Sequence, residues 1–120
     1  MFESLLNMIS PSKGLDMLRL GIQKAIGKPV DEFTIIYIAE SESLIFDVVQ
    51  PDGNIKQPYT GSNKSMIIFA VKSLSSSKLK EGESLDAVKC HRLPTGNLNL
   101  EVLLTRNDKK EKIVIKDYHP

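Results

Sequence analysis

The chain has 120 residues, 41% hydrophobic and 26% charged, with a net charge of +1. That length suits one domain able to bury roughly two thirds of its unfolded surface without a staple, and the composition excludes a disordered chain. The near-neutral balance supplies no overall field for nucleic acid or membrane. A single cysteine rules out an intramolecular disulfide and fits a reducing, cytoplasmic compartment. The charge is unevenly spread: residues 1–60 carry five basic and eight acidic side chains, residues 61–120 eleven and seven.

The opening stretch MFESLLNMIS places Phe2, Leu5, Leu6 and Ile9 at helical spacing, and Glu3 argues against a signal peptide. Ser10-Pro11 reads as an N-cap followed by a first-turn proline. Leu15, Leu18, Ile22, Ala25 and Ile26 then line one face of a helix over 11–26, and Gly27 stands at its C-cap position. Gly14 and Gly21 weaken this helix intrinsically, so it needs a surface to lie on. The alternative use of its apolar face is an interfacial membrane anchor, which the mixed signs of Asp16, Arg19 and Lys24 disfavour.

From residue 33 the period changes to two. FTIIYIAE puts Phe33, Ile35, Tyr37 and Ala39 on one face and Ile36 and Ile38 on the other, which predicts a central strand. SLIFDVVQ follows after the short connection SES and should pair with it as a hairpin, with Ile45, Asp47 and Val49 sharing a face. PDGN at 51–54 is a turn, and IKQ a short extended piece. KSMIIFAVKSL (64–74) fits a helical face through Ile67, Ala70, Val71 and Leu74. Its β-branched and aromatic content favours a strand instead. After the polar run SSSKLKEGES come strands at 85–93, 98–105 and 112–118, joined by the turns PTGN and RNDKKE. No apolar run approaches the roughly 20 residues needed to span a bilayer.

These elements predict one α+β domain over 1–120. A helical segment at 1–27, one amphipathic helix or two short ones, packs on a mostly antiparallel, curved sheet of five or six strands drawn from 33–118. Cystatin-like and NTF2-like folds share that layout, but no residue motif ties the chain to either.

Chemistry is sparse. Cys90 and His91 are neighbours on a strand, so their side chains diverge and cannot form a nucleophile–base pair. Cys90 then reads as a buried small hydrophobe and His91 as a solvated residue. The only other histidine is His119, so no zinc spacing exists. TGSNKS (60–65) lacks the phosphate-loop spacing, and RNDKKEKIVIK lacks the aromatics of a nucleic-acid platform. Asp47 stands out as a carboxylate in mid-strand, which needs solvent or a partner. Tyr37 is its possible cross-strand companion.

The sequence therefore predicts no catalytic residues, no cofactor and no metal. It points to a non-catalytic protein that binds another protein or itself as a homodimer. The alternative is a small-ligand pocket protein or enzyme in which Asp47, Tyr37 and His91 line the pocket.

Overall fold

The computed structural model describes residues 10–120, so the helical pattern at 2–9 lies outside the described residues. The elements in chain order are α1 (Pro11–Ile26), β1 (Phe33–Ile38), β2 (Ser43–Val48), β3 (Ile55–Pro58), α2 (Lys64–Ser76), β4 (Ser84–Arg92), β5 (Leu98–Arg106) and β6 (Lys109–Tyr118). All six strands form one open antiparallel sheet in the order β3-β2-β1-β4-β5-β6. It consists of two three-stranded meanders, β1–β3 and β4–β6, joined along the β1–β4 pair.

α1 forms where its caps place it. The Ser10 side chain accepts from the Lys13 amide, Pro11 occupies the first turn, and Gly27 ends the helix at φ 73° with its amide on the Gln23 carbonyl. Leu15, Leu18 and Ile22 are buried. Gly14 has a packing role: a Cβ there would collide with the Ala70 side chain, so glycine permits the close approach of α1 and α2.

Residues 64–76 correct the sequence expectation, being a helix rather than a strand. Their buried positions, Ile67, Ala70, Val71, Leu74 and Ser75, follow the helical spacing already visible in the sequence. Tertiary packing outweighs the β-leaning composition here. The helix carries the chain from the edge strand β3 back across the sheet, so that β4 pairs with β1.

Both helices cover the same face. Leu15, Leu18 and Ile22 of α1, and Ile67, Val71 and Leu74 of α2, share one core with the strand residues Ile35, Phe46, Val88, Cys90 and Leu100. The turn before β6 is tighter than RNDKKE suggests. Asn107 and Asp108 alone form it, both at positive φ (52° and 62°), as a two-residue hairpin loop with matching twist requires. β6 consequently begins at Lys109 rather than 112.

Candidate functional site

The other face of the sheet has no helix among the described residues, and strand register places its side chains in transverse rows. Thr34 on β1 lies opposite Asp47 on β2 and His91 on β4, Asp47 lies opposite Lys56 on β3, and His91 lies opposite Asn99 on β5. Lys56, Asp47, Thr34, His91 and Asn99 thus form one polar row. The adjoining row runs Ile45, Ile36, Lys89, Glu101, Val114, and the next Ser43, Ile38, Ala87, Leu103, Lys112. Five large hydrophobic side chains are described as exposed, and four of them, Ile38, Val49, Leu103 and Val114, belong to this face.

Two of the three sequence-nominated ligand residues meet here. Asp47 and His91 flank Thr34 from opposite sides. They line one solvent-open depression of about 220 Å³ together with Glu32 and Val49. A second depression of about 280 Å³, which shares Thr34 and His91, extends along the row to Lys89, Asn99 and Lys116. Tyr37 is not part of the group. It is 1% exposed, lies opposite Leu44 and Val88, and points into the helix-covered core. The expected Asp47–Tyr37 companionship fails on parity, because odd positions of β1 and even positions of β2 share the covered side.

Asp47 Oδ1 is buried and has no hydrogen-bond partner. Leaving a carboxylate oxygen in that state costs about 1–3 kcal/mol or more. The cross-strand Lys56 makes no ion pair with it among those observed. His91, in contrast, is engaged. Its Nε2 lies 2.6 Å from Glu32 Oε2. The segment carrying Glu32 is held in place by the Val30 amide, which donates to Gln23 Oε1 at 2.9 Å, and by Arg92, which donates to the Asp31 carbonyl.

Cys90 and His91 diverge as strand alternation requires, and register is continuous through them. Cys90 is fully buried, and burial pushes its thiol up to about 12, so it is protonated at neutral pH and inert as a nucleophile. A bulge does occur in β4, between Leu85 and Ala87, four residues short of the pair. It turns Asp86 away from the face of Cys90, where simple alternation puts it. Its carboxylate accepts from the Thr105 hydroxyl at 2.6 Å and from Lys110 at 3.3 Å. The Thr105 hydroxyl and then Lys110 hold its pKa below the usual value.

The remaining candidates stay apart. His119 Nδ1 contacts Asn97 Oδ1, and Glu42 pairs with Lys72 at 3.7 Å. No group of three or more metal-ligating side chains occurs among the described residues. The TGSN loop lies at the start of α2, where Asn63 accepts from the Tyr59 hydroxyl instead of capping the helix. That loop borders a polar depression of about 340 Å³ beside Tyr59, which fits between Gly21 and Gly61 because neither carries a Cβ.

Thr34, Asn99, Lys116 and Glu32 are site neighbours that sequence reading did not nominate. Period-two alternation already placed Thr34 opposite the Phe33 face; strand pairing was the missing information. Compared with protein-family models, curated proteins and solved structures, the chain matches none. The face itself therefore carries the functional argument. No described helix is long and apolar enough to cross a membrane.

Proposed function

We propose that this is a non-catalytic binding protein whose working surface is the uncovered face of the sheet. One observation carries the reading: four of the five described exposed large hydrophobics gather on that face, around the His91–Glu32 contact, while the opposite face is sealed by two helices. A sheet face that only needs water normally alternates to polar side chains. Here Ile36, Ile38, Ile45, Leu103 and Val114 interrupt that pattern, and exposed apolar surface grouped in this way marks interaction sites. The buried thiol of Cys90 fits work in a reducing, cytoplasmic setting.

Photo-crosslinking in native extract tests the reading. A photoreactive residue at Val49 or Val114 is expected to give covalent macromolecular adducts, and the same residue at Leu20, exposed on the outer side of α1, to give none. Adducts only from Leu20, or from no position, contradict the reading.

A second reading rests on the orphaned Asp47 oxygen: a small cationic or hydrogen-bond-donating ligand seated between Asp47, Thr34 and His91. It predicts that small molecules copurify with the chain and are lost in Asp47→Ala.

A further inference from the structure

The charge asymmetry of the sequence is also an asymmetry of the uncovered face. Its β1–β3 half carries Asp47 and Glu32 against Lys56. Its β4–β6 half carries Lys89, Lys110, Lys112 and Lys116 against Asp86 and Glu101, with His91 at the border. Glu101 is shared by Lys89 at 4.0 Å and Lys112 at 3.3 Å, and Lys110 is taken by Asp86. Lys116 makes no ion pair among those observed, and neither do Asp47 and Lys56. Two acids against one lysine leave the β1–β3 half at net −1, and four lysines against two acids leave the β4–β6 half at net +2, on one continuous surface with apolar side chains between.

We infer that this face docks on the same face of a second copy of the chain, with the two-fold axis parallel to the strands. This inference rests on the binding reading above and names the partner. That axis lays the acidic β1–β3 half of each copy over the basic β4–β6 half of the other. It brings together the apolar rows through Ile36, Ile38, Leu103 and Val114. An axis across the strands would instead stack lysine column on lysine column, which like-charge repulsion opposes. Aligned packing of two sheets is an ordinary architecture, and both inner faces are then buried. With strands about 4.8 Å apart and residues about 3.3 Å apart, the three rows cover roughly 600 Å² per copy. That is somewhat below the ~800 Å² per partner of a standard interface, so the dimer should be reversible and salt-sensitive. The interface also places cationic side chains of the second copy over the half that holds Asp47.

Sedimentation velocity on the purified full chain, from about 1 to 200 μM in low and high salt, tests the inference. A concentration-dependent dimer weakened by salt is expected. The double variant Lys112→Glu with Lys116→Glu should raise the dissociation constant at least tenfold. Adding Asp47→Lys to that pair should recover much of the loss, because the charge pattern is then inverted on both halves. Thermal melts of each variant verify folding. A single monomeric species at all concentrations overturns the inference, and so does a dimer indifferent to these reversals. If the chain is monomeric yet the photo-probes at Val49 and Val114 capture a different macromolecule, self-association falls while the binding reading stands. A monomer without adducts removes both.

Discussion

The two faces of this sheet use the same strands for different ends. On the covered face, Ile35, Leu98, Leu100, Val102 and Cys90 are all at 0% exposure and pack beneath two helices. On the uncovered face, positions one residue away are a mixture of isoleucine, valine, lysine, glutamate and an unsatisfied aspartate oxygen. The first face is what stability selects. The second contains groups that folding alone does not explain, and it is on these that the proposed binding role rests.

The largest expected effects fall on the covered side. Leu100→Ala and Phe46→Ala should each cost about 2–5 kcal/mol in denaturant unfolding, through lost burial and a residual cavity. Val114→Ala and Ile38→Ala on the other face should stay within about 0.5 kcal/mol. Equal losses on both sides would mean that the second face is also part of the folding core. Gly14→Val should destabilise by about 1–3 kcal/mol, because its side chain would occupy the space of Ala70. A melt unchanged in this variant would place the helix crossing elsewhere.

Asp47→Asn tests the unsatisfied oxygen. On a surface shaped only by folding, an orphaned carboxylate is a liability, and the isolated variant should be as stable as the parent or up to about 1 kcal/mol more stable. It should bind its partner less well. A clear loss of stability would show that Asp47 is structural.

The smallest effect concerns pH. Asp86 has a folded pKa held below 3.8, first by the Thr105 hydroxyl and then by Lys110. Its stabilising contribution is therefore present above pH 3.8 and is lost as pH falls through the lower, folded value. Asp86→Asn should lower stability slightly in the neutral region, where the ionised carboxylate contributes, and flatten the acid limb of the profile below about pH 4, where variant and parent converge. An acid limb identical in variant and parent would separate Asp86 from that loss.

Much of the covered face was legible in the sequence, because its signals are local. Ser10, Pro11 and Gly27 delimit α1 to the residue, and the parity of Phe33, Ile35 and Tyr37 marks the core side of β1. The split of Cys90 from His91 also follows from alternation alone. What was not legible depends on distant pairing. Residues 64–76 carry strand-forming side chains on a helical spacing, and only the need to cross the sheet decides between them. Asp47 was visible as an anomaly, yet its row-mates Thr34, His91 and Asn99 come from three other strands. The sequence gives no sign that both helices share one side, and that choice is what exposes the site.

Methyl-resolved NMR of the isoleucine, leucine and valine side chains, comparing dilute protein with concentrated protein and with native extract, decides whether the uncovered sheet face is the contact surface. Shifts and broadening are expected at Ile36, Ile38, Ile45, Val49, Leu103 and Val114, with Leu15, Leu18, Ile22 and Leu100 unmoved. Perturbations confined to the Tyr59 depression or the outer side of α1, or none anywhere, would contradict that role for the face.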